Sequence, residues 1–274
     1  MQVTKKLKRN PRATRVVSWN VCGLRAQLRK GSFLQFLESF KPEVMCLNET
    51  MLQDKHIQEI KAQIPKEYFS YWFCSQAKKG YSGVAILSLK EPLNVTYGMG
   101  VTQHDQTGRT ITAEYQNYFL VCTYVPSAGN EVWRRDYRTK NWDLDLRSYL
   151  QELQKQKPVV WAGDMNVVHQ DCDVYNIKGK SDWACCTPEE RNNFRETLLA
   201  NQMVDSFRFM NPRVKGWSYF SRKNVGARLK DQGWRLDYIV VSEALKSRIQ
   251  EAYIRDDVMG SDHHPCVLSL LLSN

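Results

Sequence analysis

No apolar run in the 274-residue chain approaches the roughly 18 residues that a membrane-spanning helix needs, so no span is expected. The N-terminal stretch MQVTKKLKRNPRATR has no apolar segment of the kind a secretory signal requires. Eight cysteines are present, yet none forms a C-x-x-C pair, which argues against a structural zinc site. Several cysteines lie inside apolar runs (VMCL, LVCTY), where the thiol acts as a small hydrophobe, and reduced thiols in an intracellular setting are expected. No Gly/Ser/Pro linker, internal repeat or low-complexity tract divides the chain. There is no G-x-S-x-G elbow, no Walker loop and no G-x-G-x-x-G, which sets aside the usual hydrolase, nucleotide-triphosphatase and dinucleotide-binding signatures.

Positive charge is plentiful. Lys plus Arg number 39 against 29 Asp plus Glu, a formal net charge of +10 that suits a polyanionic partner such as nucleic acid. Residues 1–14 read as a flexible basic arm before a single domain over 15–274. The KKLKR cluster in that arm resembles a nuclear-import patch. A nuclear location is therefore expected, cytoplasmic if the chain is prokaryotic, with an organelle left open.

Strand-like runs recur: RVVSWNV, EVMCLNE, SGVAILSL, TITAEY, FLVCTYV, PVVWAGDMN, GWSYFS, LDYIVVS and CVLSLLL. Helical periodicity lies between some of them, over Ser32 to Phe40 and in the second half of Glu131 to Gln156. Thr187-Pro188-Glu189-Glu190 is a helix start, with Thr at the N-cap, Pro at N1 and Glu at N3. Thr110 to Tyr124 reads as an antiparallel hairpin. Strands and helices interleave, which predicts an α/β fold of mixed sheets with helices outside.

Polar residues collect at strand ends. VVSWN ends at Asn20, VMCLNE at Glu49, LVCTY at Tyr124, and VVWAGDMN at Asp164 and Asn166; WRLDY carries Asp237. Strand ends on one sheet edge can converge on a shared cleft. Singly, each has a plain structural reading: an Asn after a strand is often a turn residue, and Asp237 could pair with Arg235. The turn MGSDHHPCVL adds Asp262, His263, His264 and Ser261. Adjacent side chains in extended backbone point opposite ways, so at most one of the two histidines serves a site shared with Asp262. The turn could precede a strand and no more, supply a Ser–His–Asp set with Ser261 as nucleophile, or form half of a metal centre. Carboxylates, amides, a Tyr and a His favour a hard cation such as Mg²⁺, with Mn²⁺ as the alternative, and with it phosphodiester hydrolysis.

SWNVCGLRA, CLNET, GYSGVAI, HDQTGR, YVPSAG, GDMNVVH, TPEER, NVG, GWRLDY and MGSDHHP, in that order, resemble the exonuclease III / apurinic-apyrimidinic endonuclease family of the endonuclease/exonuclease/phosphatase superfamily. The resemblance implies a four-layer α/β sandwich, two packed mixed β-sheets flanked by helices. It implies an Mg²⁺-dependent DNA-repair enzyme cutting 5′ to abasic sites, with 3′-phosphodiesterase or 3′–5′ exonuclease activity. The implied partner is double-stranded DNA with abasic sites or blocked 3′ ends, bound by a monomer away from any membrane. Glu49 and Asp262 would hold the metal with Asn20 beside them, and Asp164 and Asn166 are further candidates. Asp164 would activate or orient water, Asn166 and Tyr124 would stabilise the phosphate, and Asp237 would orient His263. His264 would be structural. Arg25, Lys30, Tyr81, Arg134, Tyr137, Asn176 and Lys178 would contact DNA, and Trp234 and Leu236 would line the pocket for an extruded abasic sugar. Other readings are a phosphatase acting on small phosphate esters and a DNA-binding relative without turnover.

The chain departs from the family pattern in places. Cys22 stands where Asp or Asn is usual, and Met51 where Lys is usual; a joint change keeps the local charge count, which predicts a coupled pair. Ser127 replaces an Asn. Gly216 stands where an aromatic pocket wall is common, and Trp183 where a small Asn is common. Ala227 to Gln232 reads as an insertion that adds Arg228 and Lys230 to a loop expected to face DNA. A shortened pocket wall with an enlarged loop predicts relatively more 3′-end processing.

Overall fold

Residues 10, 12–129 and 131–272 are described by the computed structural model. Residues 1–9 and 11 of the expected arm, with the KKLKR cluster, lie outside them; Ala13 is already buried and Thr14 opens the first strand.

Two six-stranded mixed sheets form the centre. The first holds β1 (Thr14–Asn20), β2 (Val44–Asn48), β3 (Phe69–Phe73), β4 (Val84–Ser88), β11 (Ile249–Ile254) and β12 (Cys266–Leu270), in the order β11-β12-β1-β2-β4-β3. The second holds β5 (Asn94–Tyr97), β6 (Thr110–Glu114), β7 (Phe119–Tyr124), β8 (Val159–Asp164), β9 (Met203–Asp205) and β10 (Asp237–Ser242), in the order β5-β6-β7-β8-β10-β9. The helices are α1 (Leu24–Lys30), α2 (Ser32–Phe40), α3 (Ile57–Lys61), α4 (Thr102–Asp105), α5 (Val132–Tyr137), α6 (Asp143–Gln154), α7 (Pro188–Ala200) and α8 (Ser206–Met210).

Alternation along the strands builds the layers. Val16, Val44 and Cys46 face the second sheet and pack with Leu120, Cys122, Val160 and Ile239. Their neighbours Val17, Trp19, Met45 and Leu47 face outward onto Leu24, Phe33, Phe36 and Leu37 of α1 and α2. On the far side, Val121, Trp161 and Val240 carry Leu146 and Leu150 of α6 and Phe194 and Leu198 of α7. Each such side chain, fully buried, contributes on the order of 1.5–3 kcal/mol. The result is the expected four-layer sandwich.

Topology sends particular strand ends to one edge. β1 and β2 run parallel, as do β7 and β8. Their C-terminal ends therefore deliver Asn20, Glu49, Tyr124 and Asp164 together. β10 runs antiparallel to β8 with Asp237 opposite Asp164. β12 runs antiparallel to β1, so the turn before Cys266 returns to the same edge as Asn20. Gly163, just before Asp164, is required by close approach: a Cβ there would lie 1.8 Å from the Thr123 carbonyl oxygen.

Some expectations change. The run read as one long helical segment over Glu131 to Gln156 is α5 and α6 joined by a π-helical turn, Arg138–Trp142. GWSYFS is not a strand; Tyr219 makes only isolated bridges to Trp234 and His263. Thr187 and Glu190 do form the reciprocal cap of α7, with the Glu190 amide donating to the Thr187 hydroxyl at 3.3 Å.

Candidate active site

Asn20 is the hub of the edge. Its amide nitrogen donates to Glu49 Oε1 at 2.9 Å and to Asp164 Oδ2 at 3.0 Å. Its oxygen accepts the Cys22 amide at 3.0 Å. As placed, Asn20 ties two carboxylates together and does not present its oxygen to a cation. The backbone here is strained: Cys22, Glu49, Met51 and Asn166 all have left-handed φ, between 46° and 52°, a conformation that costs non-glycine residues energy and that clusters at functional sites.

His263 bridges the sheets. Its Nδ1 meets Asp237 Oδ2 at 2.7 Å and its Nε2 faces Asp164 Oδ2 at 3.9 Å. Burial opposes a charge on the imidazole, but the Asp237 carboxylate overrides it and pushes His263 up to about 10. Burial and the Asp237 charge together push Asp164 up to about 7, against the pull of His263. Asp237 Oδ1 is buried without a hydrogen-bond partner among the described residues. His264 points away. It bonds the Val258 carbonyl at 3.0 Å and packs edge-on to Phe220, and burial pulls it down to about 4. Ser261 is no nucleophile in this arrangement: its hydroxyl donates to the Asn20 carbonyl at 2.7 Å and accepts the His263 amide at 3.1 Å.

Tyr124 is the phenol of the site. Burial, reinforced by the Glu49 charge, pushes it well above its usual value, so it remains a donor. Asn166 donates to the Val125 carbonyl at 2.9 Å, and its backbone amide donates to Asp164 Oδ1 at 2.9 Å. One amide hydrogen of Asn166 remains for another acceptor.

The ligand atoms of Asp164, Asp237 and His263 lie within 4.8 Å of one another. A doubly protonated imidazole has no lone pair for a metal, so that trio fits an ion-paired imidazolium better. Glu49 and Asp262 offer the carboxylate oxygens that a hard cation takes, and Asp262 already draws a positive group, the Arg222 guanidinium at 3.0 Å. The Cys22 thiol faces the same two carboxylates; burial, then Asp262 and Glu49, push it up to about 12. The Met51 sulfur packs over Gly23, 3.7 Å from where a Cβ would stand.

Three bridging residues were missed by sequence reasoning. Asn48 donates to the Thr123 carbonyl at 2.9 Å and accepts the Asp164 amide at 3.1 Å, pinning one sheet to the other. It is visible only as a lone amide in an apolar run. Arg109 is buried under both tyrosines, 4.7 Å from the Tyr124 ring, and donates to the Tyr81 hydroxyl at 2.7 Å. Arg138 donates to the carbonyls of Pro126, Met165 and Asn166 at 2.8–3.0 Å and to Asp143 at 3.1 Å, holding the loops that carry Asn166 and Ser127.

The candidate DNA contacts are spread around this centre. Arg25, Lys30, Asn176 and Lys178 are exposed. Lys30 reaches the Gly260 carbonyl at 3.1 Å, and Asn176 accepts the Lys178 amide at 3.0 Å. Tyr81 lies on Arg109. Arg134 flanks Gly129. Tyr137 is taken up by His104, with 2.8 Å between its hydroxyl and Nδ1. Trp234 and Leu236 are buried with Val168, Val174, Cys185 and Cys186.

The family described as Endonuclease/Exonuclease/phosphatase matches residues 17–263. The chain belongs to that family. It is 45% identical over 258 residues to the exodeoxyribonuclease of Bacillus subtilis (strain 168), covering 93% of this chain and 98% of that protein. It is 45% identical over 260 residues to the DNA repair nuclease APEX1 of Danio rerio, covering 93% of this chain and 82% of that protein. Among solved structures, the AP endonuclease LMAP from Leishmania major superposes with a TM-score of 0.89 at 31% identity, covering 97% of this chain and 90% of that one.

One reading of the departures within this member of the endonuclease/exonuclease/phosphatase family is overturned by the packing. Gly216 does not leave a gap in a pocket wall: a Cβ there would meet Phe207 at 2.6 Å and Ile254 at 3.2 Å, both of the inter-sheet core. The shortened wall, and the 3′-processing argument built on it, lose that basis. Arg228 of the insertion is half-buried; it donates to the Ser261 carbonyl at 2.6 Å and lies over the Phe220 ring. Lys230 is exposed. Ser127 turns its hydroxyl to the Gly129 amide at 3.4 Å.

Proposed function

We propose that the chain is a divalent-metal-dependent DNA-repair phosphodiesterase that cuts the backbone 5′ to abasic sites and also processes 3′ ends. The carrying observation is the juxtaposition of Asp164 and an Asp237-bound His263 at 3.9 Å, beside Glu49 and Asp262, on one sheet edge. Similarity to a bacterial exodeoxyribonuclease and a DNA repair nuclease supports DNA as substrate.

Glu49 and Asp262 would hold Mg²⁺, or Mn²⁺, which when bound supplies positive charge to the scissile phosphate. His263, oriented by Asp237, donates from Nε2 to a phosphate oxygen. With both imidazole nitrogens acting as donors, Asp164 is left as the base that takes the proton of the attacking water, poised near neutrality. The free amide hydrogen of Asn166 and the Tyr124 hydroxyl donate to the developing negative charge. Arg25, Lys30, Asn176 and Lys178 position the duplex through its phosphates. Trp234 and Leu236 receive the extruded sugar, which has no base to unstack. Because the two sheets share one core, we treat 15–274 as one catalytic domain, acting as a monomer.

The test is cleavage of a labelled duplex with one abasic-site analogue, in Mg²⁺ and in EDTA, beside Asp164→Asn. Metal-dependent cutting 5′ to the analogue that disappears in the variant is expected. Binding without cutting in Mg²⁺ or Mn²⁺ would move the protein to the non-catalytic reading, and turnover of small phosphate esters without DNA cleavage to the phosphatase reading.

A further inference from the structure

We propose that Trp183 is a stacking platform for the nucleobase of a 3′-terminal nucleotide, an added subsite that favours base-bearing 3′ ends; this rests on the nuclease reading above. Trp183 lies in the loop between β8 and α7 and is 51% exposed. An isolated exposed indole needs no explanation, but this one is held in place. Its ring lies parallel to that of Trp234, with centroids 6.3 Å apart at 17°. Its backbone amide donates to the Lys180 carbonyl at 3.0 Å. The Lys180 side chain is buried, with its ammonium 5.1 Å from the Trp183 ring and 4.7 Å from the Tyr175 ring. A fixed aromatic surface loses little rotamer entropy when a ligand ring settles on it.

The platform is continuous with the reaction centre. Behind it lie Trp234, Leu236, Cys185 and Tyr219 in one apolar wall. Tyr219 packs on the His263 ring at 4.7 Å, and the Cys185 thiol donates to Asn166 Oδ1 at 3.7 Å. Exposed Lys178 precedes it on the same loop and suits a phosphate backbone. A strand end anchored at His263 therefore meets an aromatic series whose outer member is Trp183. Any nucleobase has a π face to offer that member, whereas an abasic sugar has none. Trp183 thus acts on base-bearing ends and is silent towards abasic ones.

The experiment uses the full chain in EDTA, which separates binding from cleavage. A hairpin ending in 3′-terminal 2-aminopurine is titrated, and quenching of the fluorescent base is read; a matched hairpin ending in a tetrahydrofuran abasic analogue is followed by anisotropy. Intact protein should quench strongly. Trp183→Ala should abolish the quench and weaken that hairpin about tenfold, while the abasic hairpin changes less than about twofold. Trp183→Phe should restore most of the quench. Thermal melting of each variant shows that it is folded. Undiminished quenching in Trp183→Ala overturns the proposal, as does parallel weakening of both hairpins, which is the mark of a structural role. Binding of the abasic hairpin without any quench by the intact protein overturns this proposal alone. Binding of neither hairpin overturns the nuclease reading and this one with it.

Discussion

Arg235 and Asp237 are separated by one residue and end in two buried charge clusters that behave in opposite ways. Arg235 enters one whose carboxylates are paired with guanidinium groups. Its guanidinium donates to both oxygens of Asp173 at 2.8 and 2.9 Å and to both of Asp205 at 3.0 and 2.7 Å, and Arg208 also bonds Asp173. Burial alone would push these carboxyls up, but the Arg235 charge wins and holds both below the usual carboxylate range. Asp237 enters an unsaturated cluster. There one of its oxygens has no partner among the described residues, and Asp164 is pushed up to about 7. The difference teaches how to tell structure from chemistry in buried charge. A cluster in which each carboxylate oxygen meets a guanidinium stabilises and is inert. One that leaves carboxylates facing each other, with a single imidazolium between, is held ready for a ligand.

The contrast is sharpened first by Asp164→Asn, which keeps shape and removes charge. Cleavage of an abasic duplex should fall by about 10³-fold, with little change in the urea midpoint, because a repulsive carboxylate has been relieved. A large loss of stability would break the comparison. Next, Arg235→Met should cost about 3–5 kcal/mol by stripping buried Asp173 and Asp205 of their shared guanidinium, leaving only Arg208 on the first and His169 on the second, read as a fall in urea midpoint. Activity per folded molecule should fall far less than in Asp164→Asn. The pH dependence follows from sign: Asp173 and Asp205 are depressed in the folded state, so their stabilisation is present above about pH 4, the unfolded carboxylate value. It is lost as pH falls further, towards their lower folded values. Urea midpoints of the intact protein should drop over that range, and Arg235→Met should flatten the drop.

A smaller effect belongs to Cys22 and Met51. Isothermal titration of Mg²⁺ into Cys22→Asp, Met51→Lys and the double variant should show coupling of about 0.5 kcal/mol or more. Simple additivity would remove the idea of a compensated pair. The smallest is Thr187→Ala, which removes the cap of α7 at a cost of about 1 kcal/mol and should leave cleavage unchanged.

What the sequence determined by itself was the layering and the strand ends. Alternating apolar residues declare a strand, and a strand packed on both faces declares a sandwich; both signals are local in the chain. The residues at those ends were legible because a polar side chain closing an apolar run is conspicuous, and the motif resemblance ordered them. Which ends meet was decided by topology. Only the parallel pairs β1–β2 and β7–β8, with β10 and β12 returning antiparallel, bring Asn20, Asp164, Asp237 and His263 to one edge. The same holds for Asn48, Arg109 and Arg138, whose partners lie on other elements, and for Arg235, which sequence proximity would have paired with Asp237. Gly216 is the converse case: its neighbours Phe207 and Ile254 come from other strands and helices, so a gap inferred from its missing side chain is filled. Side-chain chemistry travels with the residue, but charge compensation and packing depend on distances in space, which only the folded chain sets.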